Sequence, residues 1–155
     1  MQTFLPYPDF WASADVLDDL RLRSQIREAS QLLKACLADQ DARREAGRRY
    51  GRFYRNHPAL LMWKGCPGGL AMYLIAMHDE YRKRGGEKFI MARRLAGLCV
   101  DGSEPWWLGR EALHSSHRAR LLGKNPEWYG QFGWTEQPAL DNSAYWWPVQ
   151  KGESS

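Results

Sequence analysis

Apolar residues recur at spacings of three and four over most of the chain, and this periodicity predicts helices. Between Ser13 and Ala38 the set Leu22, Ile26, Ala29, Leu33, Cys36 and Leu37 falls within about one third of a helix circumference at 100° per residue. That predicts a long amphipathic helix, with Ser13 or Asp15 as its cap. A polar stripe of Ser24, Arg27, Glu28 and Gln31 lies opposite, facing solvent or a site. Pro58 can open a second helix in which Leu60, Leu61, Met62 and Trp63 pack, before a break at residues 65–69. A strongly apolar helix follows from Leu70 to Arg84 and stops at Gly85 and Gly86. Further helices are predicted over Glu87–Leu98 and Trp106–Leu122, with a loop at Gly102–Pro105 between them and a stop at Asn125–Pro126.

Two regions resist that pattern. Residues 1–10 hold Pro6 and Pro8 and cannot form regular helix. The C-terminal region is aromatic, with Trp128, Tyr129, Phe132, Trp134, Tyr145, Trp146 and Trp147. No stretch alternates in the manner of a strand, and no internal repeat occurs. The expected fold is all-α: one domain over residues 1–150 with about four to six helices, an irregular N-terminal segment and an aromatic C-terminal tail, ending in a disordered 151–155. Its 155 residues suit a single domain.

Charge changes this picture through its placement. The net charge is +4. Residues 41–55 carry Arg43, Arg44, Arg48, Arg49, Arg52 and Arg55 against Asp41 and Glu45, a net of +4. Residues 82–94 carry Arg82, Lys83, Arg84, Lys88, Arg93 and Arg94 against Glu87, a net of +5. The remainder of the chain therefore sums to −5. Clustered base on an otherwise acidic chain fits a polyanion partner, the alternative being a solvated helix face.

Other features narrow the chemistry. Cys36, Cys66 and Cys99 are an odd number with wide spacing, which argues against a disulfide framework or a cysteine zinc site. No Walker loop, dinucleotide fingerprint or nucleophile elbow is present. The longest apolar stretch, Leu70–Met77, falls far short of the ~20 residues a membrane span needs. With no signal-peptide pattern either, the expectation is a soluble, cytoplasmic protein and a monomer. His114 and His117 could share a helix face, but two ligands make a weak metal site, so no metal or cofactor is expected. Beside Arg118, Arg120 and Lys124 they read as phosphate or base contacts. The aromatics after Lys124 suit stacking on unpaired bases, or the covering of a small helical core. Glu28, flanked by Arg21 and Arg27, weakens a phosphate site unless it stabilises positive charge developing on a sugar; a pair with Arg21 or Lys34 is the alternative.

Several motifs occur together in one order. They are the opening Met-Gln-Thr-Phe-Leu-Pro-Tyr-Pro-Asp-Phe, the helix Leu17-Asp18-x-x-Arg21-Leu22-x-x-Gln25-x-x-Glu28-Ala29-x-Gln31-x-Leu33, and Asn56-His57-Pro58-Ala59 with Met62-Trp63. Asp79-Glu80 before Arg84-Gly85, His114-x-Ser116-His117-Arg118, Lys124-Asn125-Pro126-Glu127-Trp128-Tyr129 and Trp147-Pro148 continue the set. In this combination the chain, as far as about Pro148, resembles the pyrimidine-dimer DNA glycosylases of the endonuclease V type. The resemblance implies a helical glycosylase with an associated abasic-site lyase, acting on double-stranded DNA that carries a pyrimidine dimer or another damaged or modified base. It implies that the α-amine at the chain's start attacks C1′ of the damaged nucleotide, assisted by a glutamate matched by Glu28. Position 2 is Gln, so that amine belongs to Met1, or to Gln2 where Met1 is lost. An α-amine, with a pKa of roughly 7.7–8.0, is far less protonated at neutral pH than a lysine at ~10.4. DNA contacts are then expected from Arg21, Gln25, Arg27, Gln31, His57, His114, His117, Arg118, Lys124, Trp128 and Tyr129. The alternative readings are a non-catalytic DNA-binding module, a glycosylase for a different modified base without an efficient lyase step, and a protein-interaction domain whose arginines are only a solvated surface.

Overall fold

The structure is a computed structural model that describes residues 1–40 and 56–148, with the side chains of residues 39 and 40 left aside. The arginine-rich stretch 41–55 and the tail 151–155 lie outside the described residues. The fold is all-α. Helices α1 (Phe10–Val16), α2 (Asp19–Gln40), α3 (Pro58–Leu61), α4 (Pro67–Lys83), α5 (Ile90–Cys99), α6 (Glu111–Lys124) and α7 (Pro126–Tyr129) follow one another, with 3₁₀ turns at Gly130–Phe132 and Asn142–Ala144. Of these seven helices among the described residues, five exceed a single turn. No strand occurs among the described residues.

The boundaries differ from the periodicity where local hydrogen bonding intervenes. The stretch from Ser13 to Ala38 is two helices, because Leu17 turns to an extended ψ of 138° at the end of α1. Asp18 then starts α2, its carboxylate accepting the Arg21 N–H at 2.9 Å. The α1 cap is Asp9, which accepts from Ala12 N, while Ser13 lies inside the helix and holds Tyr7 N–H and C=O through its hydroxyl. Pro126 does not merely end α6; it occupies the first turn of α7, capped by the Asn125 side chain. The 87–98 helix begins three residues late, after Phe89, whose φ is +66°.

Helix α4 is the axis of the assembly, packing against α2, α5 and α1. Its fully buried Leu70, Tyr73 and Leu74 belong to the same core as Leu22, Ile26 and Leu33 of α2. Trp63 and Trp107 are the largest buried side chains and meet edge to face at 4.8 Å between ring centroids. Both indole N–H groups are satisfied, Trp63 by Thr3 Oγ1 at 3.0 Å and Trp107 by the Met62 carbonyl at 2.6 Å. Arg84 ties the lower end together: it donates to the carbonyls of Ala14, Asp15 and Leu17 at the end of α1 and pairs with Asp19 and Glu80. Gly123 lets the segment after α7 return against α6, since a Cβ there would lie 1.9 Å from the Ala139 carbonyl oxygen.

The irregular N-terminal segment is the feature periodicity could not place. Residues 2–6 are buried, running through the middle of the helices rather than over them. An extended backbone inside a helical core has no ladder to satisfy its polar groups, so side chains must do it. Nearly every donor and acceptor from Gln2 to Tyr7 is met in this way.

Candidate active site

Four side chains on three helices build the cradle. Gln25 of α2 accepts Phe4 N–H at 2.8 Å. The Tyr73 hydroxyl of α4 lies 2.7 Å from Gln25 Oε1 and 2.9 Å from the Phe4 carbonyl, its one proton shared between them. Burial, followed by the negative charge of Glu28, raises the Tyr73 pKa well above its ordinary value, so Tyr73 stays a neutral donor. From α6, His117 Nδ1 accepts Leu5 N–H at 2.9 Å. His114 completes the pair: Gly109 N–H donates into its Nε2 at 3.0 Å, so the proton sits on Nδ1 and is given to the Leu5 carbonyl at 2.8 Å. Arg118 adds a donor to the Pro6 carbonyl at 2.8 Å and is itself neutralised by Glu111 and Glu136.

These contacts bring the start of the chain to one place. The Gln2 backbone nitrogen lies 2.8 Å from Glu28 Oε2. Gln2 is buried and its own side-chain oxygen accepts Thr3 N–H at 2.8 Å, leaving its Nε2 without a partner among the described residues. Met1 is half-buried against the core. Glu28 is half-buried and sends its charge to several neighbours. His57 is held below its ordinary pKa by burial and by the positive N-terminal amine, with Glu28 acting in the opposite sense. Lys124 is lowered by burial and by Arg120 and Arg21, again opposed by Glu28. Tyr145 is pushed up to about 12, mainly by burial, with Arg120 lowering it and Glu28 raising it. The amine at the chain's start acts on His57, and His57, Tyr73, Lys124 and Tyr145 all feel the charge of the one carboxylate, Glu28.

The sequence-predicted residues divide sharply. Met1, Gln2 and Glu28 converge. Arg27 and Gln31 are exposed on α2, and Lys124 is exposed at the end of α6. Arg21 is half-buried beside Asp18, with a 3.2 Å contact. His57 is half-buried and caps α3, its Nδ1 accepting Ala59 N–H at 3.1 Å. Trp128 is exposed on one face, while its indole N–H is spent on the Val16 carbonyl at 2.8 Å. Gln25, His114, His117 and Tyr129 are buried at 1%, 0%, 0% and 0% exposure, and each bonds the protein's own backbone, while His117 Nε2 has no partner among the described residues. The Tyr129 hydroxyl, for one, accepts Asp18 N–H at 3.1 Å. Arg118 is committed to two carboxylates and a carbonyl. Gln25, His114, His117 and Arg118 face inward because the extended N-terminal segment needs them, and Tyr129 because the start of α2 does. Tyr145, which feels the charges of Glu28 and Arg120, was not among the predicted site residues; its only signal was its position in an aromatic tail. No group of three His, Cys, Asp or Glu that could hold a metal ion occurs among the described residues, and no helix among them is long and apolar enough to cross a membrane.

Burial of His117 carries a pH consequence. Burial, and then the neighbouring His114, depress its pKa to about 3, against about 6.5 in an unfolded chain. The unfolded state therefore takes up the proton first as pH falls. Stability from this residue is complete above about pH 6.5, declines by about 1.4 kcal/mol per pH unit below it, and levels off near pH 3. Denaturant unfolding at pH 7, 5 and 4 should show that loss. His117→Gln, which keeps an acceptor for Leu5 N–H and cannot protonate, should flatten the slope by the same amount; an unchanged slope would assign the acid sensitivity elsewhere.

Comparison with known proteins gives one match. The family model described as pyrimidine dimer DNA glycosylase matches residues 1–92, which include the N-terminal segment, α1 to α4 and the start of α5. No curated protein and no solved structure matches the chain.

Proposed function

Since the chain belongs to the pyrimidine dimer DNA glycosylase family, we propose that it removes a damaged base, a pyrimidine dimer or another modified base, from double-stranded DNA and then cuts the strand as an abasic-site lyase. The observation that carries this reading is the 2.8 Å contact between the Gln2 backbone nitrogen and Glu28 Oε2. It brings the Gln2 nitrogen, which is the free amine in a chain that has lost Met1 and lies one residue from the amine of Met1 otherwise, to a half-buried carboxylate, as an amine nucleophile assisted by Glu28 requires.

The chemistry follows from those two groups. The unprotonated amine, of Met1 or of Gln2 in a chain that has lost Met1, attacks C1′. The bond from C1′ to the base breaks, the base leaving with the electron pair and taking a proton from water. Glu28 takes the proton that the amine gives up, and its negative charge offsets the cation that develops on the sugar. The C1′–O4′ bond then opens, O4′ gains a proton, and an iminium remains between the chain and C1′. Loss of a proton from C2′ expels the 3′ phosphate as the C3′–O bond breaks, and hydrolysis of the imine frees the amine.

Ultraviolet-irradiated and abasic duplexes incubated side by side with the protein test this reading: cutting of both is expected, and cutting of neither would sink it. Cutting of abasic DNA alone would keep the lyase and move the glycosylase to another base. The exposed cations Arg27 and Lys124 are assigned to phosphates. Each of Arg27→Ala and Lys124→Ala should weaken duplex binding to all sequences alike and reduce the salt slope, d log K against d log salt, by about 1. An unaltered slope would place the DNA on another face.

A further inference from the structure

The basic cluster of residues 82–94 is left largely unused by the reaction, and the structure shows what becomes of it. Arg84 pairs with Asp19 and Glu80, Lys83 lies near Asp15 and Glu80, and Arg93 faces Asp79 at 3.8 Å. Lys88 and Arg94 have no ion pair among the described residues, and neither has Arg27, whose guanidinium sits 5.6 Å above the Phe89 ring. The first turn of α5, which follows Lys88 and the Arg27-covered Phe89 and leads to Arg94 one turn on, presents Ile90 and Met91, 52% and 72% exposed. Phe89, immediately before them, has φ +66°, a left-handed conformation that is strained for a bulky non-glycine residue. Edge-to-face packing on Tyr81, at 5.4 Å between centroids, holds it there, along with the overlying Arg27.

We infer that Ile90 and Met91 form a wedge that enters the stack of duplex DNA at a base step, while Arg27, Lys88 and Arg94 grip the phosphates on either side. The inference rests on the proposed glycosylase activity and deepens it. Two apolar side chains exposed among unpaired cations do not suit an apolar protein partner, which would leave those charges desolvated. They suit a partner with an anionic outside and apolar interior faces, and apolar side chains inserted between base pairs are a general means of kinking a duplex. The wedge also adjoins the working helix: Arg27 precedes Glu28 in α2. Unstacking there supplies what the chemistry needs, a nucleotide displaced far enough for C1′ to meet an amine.

The test uses the full-length protein and a duplex carrying 2-aminopurine beside an abasic site. Binding of the wild-type chain should raise 2-aminopurine fluorescence several-fold, and I90S/M91S should abolish most of that rise. The ratio of cutting rates on duplex and single-stranded abasic DNA should fall about tenfold in the double variant, since a single strand has no stack to open. M91Q alone should show an intermediate effect, which keeps the test usable if the double variant folds poorly. Equal fluorescence and equal rate ratios in wild type and variants would overturn the wedge. So would a variant whose only change is its oligomeric state by light scattering, which would make this face a contact between copies of the chain. A wild-type chain that neither binds nor cuts DNA would overturn the proposed activity, and the wedge with it.

Discussion

Replacing Glu28 by Gln should lower the rate of strand cutting, and of borohydride-trapped adduct formation on abasic duplex, by about 10²–10⁴-fold. The substitution is nearly isosteric, and the amide oxygen can still accept Gln2 N–H at the position Glu28 Oε2 now holds. What disappears is the negative charge and the site that takes up the amine's proton. Stability should change by no more than about 1 kcal/mol, since one hydrogen bond is kept in kind. Single-turnover kinetics with denaturant unfolding of the same preparation separates the two effects. Wild-type rates in the variant would remove Glu28 from the mechanism.

The second large effect concerns the cradle. Gln25→Leu should destabilise the protein by about 2–4 kcal/mol, because Phe4 N–H loses its acceptor inside the core and the Tyr73 hydroxyl loses one of its two oxygens. Gln25 is 1% exposed, so no water can substitute. Below its melting temperature the folded variant should also cut more slowly, by about 10²-fold, because slack in residues 2–5 shifts the reacting amine by about an ångström. Urea unfolding and single-turnover rates at a low fixed temperature measure both. A loss under 0.5 kcal/mol with an unaltered rate would show that the segment holds its place without Gln25.

The cradle also explains which parts of the site were legible in the sequence. The core face of α2 and the outward placement of Arg27 and Gln31 follow from 3.6-residue periodicity alone, as does the all-α fold. Glu28 was legible as a carboxylate lacking an obvious reason to sit among bases. His114, His117, Gln25 and Arg118 were read as DNA contacts because polar residues on amphipathic helices ordinarily face outward. Here they face inward, toward a backbone that enters the core as an extended segment 21 to 112 residues away in sequence from its partners. Periodicity is blind to such a partner, since an extended segment with two prolines leaves no helical signature. The split at Leu17–Asp18 was missed for a related reason: the Asp18 carboxylate caps α2 locally, but the Asp18 N–H is met by the Tyr129 hydroxyl from the far end of the chain. Trp128 and Tyr129 read alike as aromatics, and only packing distinguishes the exposed ring from the buried one.

The central claim is that the chain's own first amine, set beside Glu28, is the nucleophile. Borohydride trapping on an abasic duplex, followed by proteolysis and mass mapping of the adduct, tests it most directly. The adduct should map to the first residue of the chain, Met1 or Gln2 according to the intact mass, and should disappear when that amine is acetylated. An adduct on Lys124 or any other lysine, or no adduct on a chain with a free amine, would contradict the account.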